Sequence, residues 1–364
     1  MRALVIGGTG PTGPYIVQGL ISRGYEPTVL HRGTHEIDLG ADIEHIHVDP
    51  HFAETLAAGV EGRTFDLVIA TYGRIRLFVD VLRGVTERLI TVGGTAYRDL
   101  QGRPADEDSE RYVENKIVAK IVETEQVLRE AHAAGLFNIT HFRYPNLYGP
   151  RQLAPREWSI VRRILDGRRV IPVLNGGLSL ESRAYVENAA HAVLLAVDQP
   201  EASAGQQYNV ADEHTPPDAV RVLKIAEVMG AEVELGNFPD AAGKPAYWWG
   251  IGRDLDFTRE RRPPSTHHKL LSVEKMKREL GYRDPVDFDE AMRRTVEWYV
   301  EHPLAPGGEE EAQLSDPFDY EAEDRFLAAL GRFVEEAAEI PFAGVEYVHQ
   351  YAHPKAPAAT GREA

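Results

Sequence analysis

The sequence predicts an α/β fold: a doubly wound parallel sheet, then a smaller α+β lobe and an acidic C-terminal extension. Three observations carry this prediction. Short β-rich runs alternate with helical patterns over the first 150 residues, a glycine-rich turn joins the first run to the first helix, and acid is concentrated at the end. From Glu309 onward there are thirteen Asp or Glu against four Lys or Arg.

Taken in order, Arg2-Ala-Leu-Val-Ile is apolar without interruption, as a strand buried on both faces should be. Tyr15 to Arg23 reads as a helix ending at Gly24, followed by strands at Pro27–Leu30 and Glu44–Val48. A helix near Phe52–Gly59, a strand at Asp66–Ala70, a helix near Leu77–Arg83 and a strand at Leu89–Val92 continue the alternation. A long helix is expected from about Tyr112 to Ala134, and a strand at Asn138–Arg143. Strand, helix, strand in repetition implies a parallel sheet covered on both faces. After Pro150 the alternation weakens and Pro and Gly increase, which suits a second lobe. The division expected is 1–150 for the cofactor domain, 151–303 for the substrate lobe and 304–364 for the extension. Within the extension, Phe326, Leu327, Leu330, Phe333 and Ala337 recur at helical spacing, so an amphipathic helix docked as an accessory cover is expected. The closing residues, about ten of them, read as disordered.

Composition narrows the function. At 364 residues the chain accommodates two lobes. Its 43% hydrophobic and 27% charged residues are those of an ordinary globule, and no run approaches the roughly 18–20 apolar residues of a membrane span. Met1-Arg-Ala-Leu-Val-Ile turns into glycines too early for a signal peptide, so a cytoplasmic location is expected. Zero cysteines exclude disulfides and thiolate chemistry, and a net charge of −17 repels phosphate backbones, so nucleic acid is not an expected partner.

Gly7-Gly8-Thr9-Gly10-Pro11-Thr12-Gly13 follows the first strand directly and opens the first helix. Glycines at 7, 10 and 13 permit a tight turn and close approach of backbone to a pyrophosphate, while the helix N-terminus offers N–H groups and a positive dipole end. This is the sequence signature of a Rossmann dinucleotide site. At the end of the second strand stands Leu30-His31-Arg32-Gly33, with no carboxylate until Glu36. Arg32 is placed to stack on adenine and pair with a 2′-phosphate, which argues for NADP over NAD, unless it is a solvated turn residue. Asp49 is placed either to accept from the adenine amino group or to cap the helix that follows. Ala70, Tyr144 and Lys116, the last able to hold the nicotinamide ribose, complete the expected cofactor set.

Tyr112-Val113-Glu114-Asn115-Lys116 sets a phenol and an ammonium four residues apart, so both are expected on one face of the long helix. A phenol near pKa 10 needs a neighbouring cation to work as an acid or base at neutral pH, and Lys116 is that cation. Together with Phe142-Arg-Tyr-Pro-Asn-Leu-Tyr-Gly-Pro150, Ser182 to His191 and Gln207 to Val210, these motifs resemble the extended short-chain dehydrogenase/reductases of the NAD-dependent epimerase/dehydratase family. The resemblance runs in order from residue 1 to about 302. It implies that Thr95 hydrogen-bonds the reacting oxygen, although a strand-end cap would suit it too, with Tyr112 as proton donor or acceptor. It implies that Asn146 and Arg183 touch substrate, the arginine often a nucleotide phosphate. It also implies that residues 186–211 return to the cofactor domain and that the chain is a homodimer. The segment from Ala70 to Leu89 is shorter than the family's, which weakens the sugar-nucleotide assignment more than the hydride chemistry.

The reaction expected is therefore hydride transfer at a carbonyl or secondary alcohol of a small molecule. The alternatives are a nucleotide-sugar epimerase or dehydratase that retains its cofactor, or a cofactor-binding sensor or scaffold. RNA binding, also found on this scaffold, fits badly with −17. Tyr72 and Trp248, the latter in Tyr247-Trp-Trp-Gly250, are candidates to line the substrate, although an aromatic cluster packs cores as readily. The arginines of 259–262 suit an anion or a solvated loop. Of fourteen histidines, His45 and His47 alternate along a strand and His267-His268 are adjacent, yet none stands near a third ligand at a spacing that builds a site, so no metal is expected.

Overall fold

The computed structural model describes every residue except 35, 41–42, 96, 99–102, 240–267, 352 and 354–364. Two compact units are present, Met1–Asp319 and Tyr320–Ala364. In the first, strands β1 (Arg2–Ile6), β2 (Glu26–His31), β3 (Glu44–His47), β4 (Leu67–Ala70), β5 (Arg88–Gly94), β6 (Asn138–Tyr144) and β10 (Gln207–Asn209) form one sheet. Its order is β10-β6-β5-β4-β1-β2-β3 and every pairing is parallel. Strand β10, though late in sequence, closes the edge beside β6, pairing Tyr208 with Phe142.

Both faces of the sheet are covered, which is why β1 is apolar throughout. Its alternate residues go to opposite sides. Ala3 and Val5 join a core with Ile16, Val17 and Leu20 of α1 (Gly13–Ile21) and Ala189, Ala192 and Val193 of α6 (Val186–Asp198). Leu4 and Ile6 join another with Leu56 of α2 (Ala53–Val60), Phe78 of α3 (Phe78–Val81) and Leu128 of α4 (Lys116–Ala133).

A third core marks the second lobe. It is built from α5 (Arg156–Leu165), α7 (Asp218–Val228) and α9 (Phe288–Glu301) around Trp158, Val161, Ile225, Met292 and Tyr299. Two short parallel pairs belong here: β7 (Asn146–Tyr148) with β9 (Arg183–Tyr185), and β8 (Val170–Leu174) with β11 (Glu234–Phe238). Helix α8 (Glu274–Leu280) packs Met276 and Leu280 into the first core. Leu304 and Leu314 are buried in the second lobe, so the chain stays in the compact unit past short helix α10 (Glu309–Ala312). The second unit contains α11 (Tyr320–Ala338), over the stretch whose periodicity predicts it. No helix among the described residues is long and apolar enough to cross a membrane.

The long helix departs from expectation at its start. Asn115, not Tyr112, opens it: the Asn115 side chain accepts from the Ile117 and Val118 N–H groups at 2.9 and 3.4 Å, and the helix begins at Lys116. An N-cap side chain that satisfies the first free donors fixes the boundary more strongly than apolar periodicity can. Tyr112 lies in the turn before it, where its carbonyl accepts from the Asn115 N–H at 3.3 Å.

Candidate functional site

The glycine turn is built by close approach. Gly7 has φ 90°, and a Cβ there would come within 2.4 Å of the Tyr72 Cβ and 2.8 Å of the Thr71 Oγ1. Gly10 N–H donates to the Gly7 carbonyl at 3.0 Å and Gly13 N–H to the Gly10 carbonyl at 2.9 Å, closing two successive turns. A Cβ on Gly13 would stand 1.9 Å from the Gly8 carbonyl oxygen, so glycine is what lets α1 start against β1. Thr12, at the N-cap, makes no capping bond with its side chain, and the helix N-terminus faces the turn.

Above this turn lies a cavity of about 270 Å³. Gly7, Thr9, Gly10, Pro11, Thr12, Arg32 and Tyr144, expected for the cofactor, line it together with Tyr72, which was expected at the substrate. His31, Gly33, Thr34, Thr71, Leu147 and Leu153 line it as well and were not expected. They come from strand ends and loops whose approach depends on sheet order, so no local pattern marks them. Arg32 is exposed to solvent and places its guanidinium 5.4 Å from the Tyr72 ring centroid at the rim of the cavity. Tyr144 donates to the Ala189 carbonyl at 2.9 Å, and burial pushes its phenol above the ordinary range. These residues fit a dinucleotide: the turn is a cradle that a Cβ would fill, it opens on a helix N-terminus, and a cation sits where the second strand ends.

Gly13, Asp49, Ala70 and Lys116, the other expected cofactor residues, do not line the cavity. Ala70 is fully buried at the end of β4. Asp49 accepts from the His51 backbone N–H at 2.9 Å and ring Nδ1 at 2.8 Å. Those bonds, the backbone one foremost, hold its carboxyl below the usual range. Asp49 therefore closes its own turn and does not cap α2, whose N-cap is Phe52.

Thr95 follows β5, its N–H donating to the Tyr144 carbonyl at 3.1 Å. An antiparallel bridge between Tyr97 and Arg111, with the Arg98 N–H on the Glu110 carbonyl at 2.9 Å, lays the segment carrying Tyr112 beside the one carrying Thr95. Beneath them, buried Glu125 of α4 accepts from Arg111 and Arg143, each at 2.8 Å, while Arg143 also donates to Tyr97 at 2.7 Å. Arg98 lies over the Tyr112 ring at 5.6 Å. Tyr112 is half-buried and Lys116 exposed. Lys116 is the first residue of α4, where it adds to the positive end of the helix dipole instead of opposing it.

Asn146 and Arg183 converge on one carboxylate. Glu181 accepts from Asn146 Nδ2 at 2.8 Å, Arg183 Nε at 2.9 Å and Arg156 Nη1 at 2.8 Å. Arg183 also donates to Glu157 at 3.1 Å and lies 3.5 Å from Asp218. Burial alone would raise the Glu181 carboxyl, but Arg156 and Arg183 outweigh it and hold the group well below the ordinary value. The arginine expected to grip a phosphate is thus enclosed by three carboxylates. Trp248 and the arginines at 259, 261 and 262 lie outside the described residues.

Residues 3–211 match the NAD dependent epimerase/dehydratase family. Among similar proteins, chloroplast stem-loop binding protein of 41 kDa b of Arabidopsis thaliana is 23% identical over 309 residues, 80% of this chain and 77% of that one. The dTDP-glucose 4,6-dehydratase of Streptomyces griseus is 26% identical over 186 residues, 49% of each chain, so about half of its length is matched. Among solved structures, the UDP-glucose 4-epimerase of Thermus thermophilus, in complex with NAD, superposes with a TM-score of 0.62 at 22% identity. The match covers 82% of this chain and 99% of that one, a likeness of fold.

Proposed function

The chain belongs to the NAD dependent epimerase/dehydratase family, and on that premise we propose that it is an NADP-preferring oxidoreductase acting on a carbonyl or secondary alcohol of a small molecule. The observation that carries this reading is the cavity that unites Gly7, Gly10 and Thr12 with Arg32, because a phosphate cradle and a cation at the second strand end are what a 2′-phosphorylated dinucleotide needs.

A bound nicotinamide would supply or accept the hydride. Arg32 holds the adenosine end by charge, and the turn from Gly7 to Thr12 holds the pyrophosphate through backbone N–H groups. Tyr112 gives a proton to the substrate oxygen in the reducing direction and takes it in the other. Lys116, four residues on at the start of α4, is the cation assigned to work with Tyr112, and Thr95 donates a hydrogen bond to the same oxygen. Turnover assayed with NADPH tests the assignment: Tyr112→Phe and Lys116→Ala are expected to lose roughly 10²–10⁴-fold in kcat. Wild-type rates in both would dismiss these roles.

The names of the dehydratase and epimerase relatives favour a second reading, transient oxidation of a nucleotide sugar with retained cofactor. The ion pairs that saturate Arg183 speak against it, since the phosphate grip would have to displace Glu157, Glu181 or Asp218. Copurifying dinucleotide and activity without added cofactor would support that reading. The stem-loop binding in the Arabidopsis relative's name is not carried over to a chain of net charge −17. Tight RNA retention at low salt would reverse that judgement.

A further inference from the structure

We propose that His31, Glu36, His45 and His47 form a structural site for a zinc-class dication, because strand pairing brings three imidazoles and a carboxylate together with ligand atoms all within 4.8 Å of one another. Parallel register sets His31, the last residue of β2, opposite His47 of β3. His45 stands two residues before His47 and shares its face. Glu36 returns from the β2–β3 connection. Gly33, at φ 77°, makes the turn that brings it back, and even a Cβ there would lie 3.3 Å from the His47 ring.

The distances suit one small ion. His31 Nε2 is 2.8 Å from His45 Nδ1, and His47 Nε2 is 2.8 Å from Glu36 Oε1. Glu36 Oε2 lies 3.8 Å from His45 Nδ1 and 4.0 Å from His31 Nε2. Tetrahedral zinc, with bonds of about 2.0–2.2 Å, separates its ligand atoms by roughly 3.4 Å, midway between these values. Shifts of under about 1 Å would admit the ion. Imidazole ligands select zinc and its transition-metal neighbours, whereas magnesium and calcium prefer all-oxygen shells. Four protein ligands leave no open position, so the site is structural. Its work is to pin Glu36 to the ends of β2 and β3, next to Arg32, Gly33 and Thr34, which border the cavity. His47 and Glu36 are half-exposed, which leaves a path from solvent.

Loading requires one local change. His31 Nδ1 accepts the Gly33 N–H at 3.1 Å, so a neutral ring carries its proton on Nε2, facing His45. Ligation through Nε2 moves that proton to Nδ1, and the Gly33 amide must then turn away. The alternative is that the four side chains only hydrogen-bond one another.

The test uses the full chain, chelator-stripped and free of dinucleotide, so it does not depend on turnover or cofactor. Zinc is titrated against a chromophoric chelator, and cobalt(II) reports geometry by its visible absorption. The expected results are one ion per chain, an intense tetrahedral cobalt spectrum and a zinc-dependent rise in Tm. Glu36→Gln and His47→Gln change half-exposed side chains; each should keep the metal-free Tm and weaken zinc by at least about tenfold. Should either variant fail to fold, His45→Gln takes its place in the same titration. Binding below one ion per chain, a cobalt spectrum like that of the hydrated ion, or unchanged affinity in the folded variants would overturn the proposal.

Discussion

Two alanine substitutions in the glycine turn separate folding from binding. At Gly13 the added Cβ would meet the Gly8 carbonyl oxygen at 1.9 Å, its carbon at 2.3 Å and its Cα at 2.8 Å. Carbon contacts settle near 3.5–4.0 Å, so backbone must retreat by more than about 1 Å. No flexible side chain can absorb this, and overpacking costs about 1–3 kcal/mol, with the upper end expected here. At Gly10 the nearest atom to the added Cβ is the Gly7 carbonyl oxygen at 3.3 Å, so the fold should change by less than about 1 kcal/mol. Gly10 nevertheless lines the cavity, and a methyl group there occupies the approach to the backbone N–H groups. Loss of one charge-assisted bond to a phosphate, about 1.5–3 kcal/mol, weakens binding by roughly 10–100-fold. Chemical unfolding and NADPH fluorescence titration measure the two effects. Gly13→Ala should fail in both, Gly10→Ala in binding alone. A wild-type unfolding midpoint for Gly13→Ala would refute the steric argument, and unweakened NADPH binding by Gly10→Ala would refute the placement of the cofactor.

Arg32→Ala should weaken NADPH by about 10–100-fold and leave NADH nearly unchanged, a ratio read by parallel titrations; equal losses would mean that the arginine does not read a 2′-phosphate. Glu181→Ala removes the carboxylate shared by Asn146, Arg156 and Arg183, and should cost about 3–5 kcal/mol of stability by denaturant unfolding, against less for Glu181→Gln. Burial, with Arg143 nearby and despite Glu125, lowers the His141 imidazole to about 4 from its ordinary 6.5. Between those values the unfolded chain binds a proton that the folded chain does not, so this contribution is complete above pH 6.5 and falls away toward pH 4, by up to about 3 kcal/mol. Unfolding free energies measured across that window should decline less steeply in His141→Gln.

The amino-acid order by itself determined the sheet, the cradle and the chemistry to look for. Continuous apolar runs such as Leu4 to Ile6 have one stable arrangement, between two layers of helices, and Gly7, Gly10 and Gly13 state a local steric need that holds wherever the turn is placed. Such signals are short-range, and they survive without knowledge of partners. What only the tertiary structure decided depends on residues distant in sequence. Asn115 rather than Tyr112 begins α4, because a cap competes for donors that periodicity does not see. Arg183 meets Glu157 and Asp218 only because α5 and α7 pack on β9, and this turns an expected phosphate grip into a buried ion-pair cluster. His31 meets His45 and His47 only through the register of two parallel strands, which sequence spacing cannot express. Charge balance and ligand geometry are properties of neighbours in space, and the chain specifies those neighbours only when it has folded.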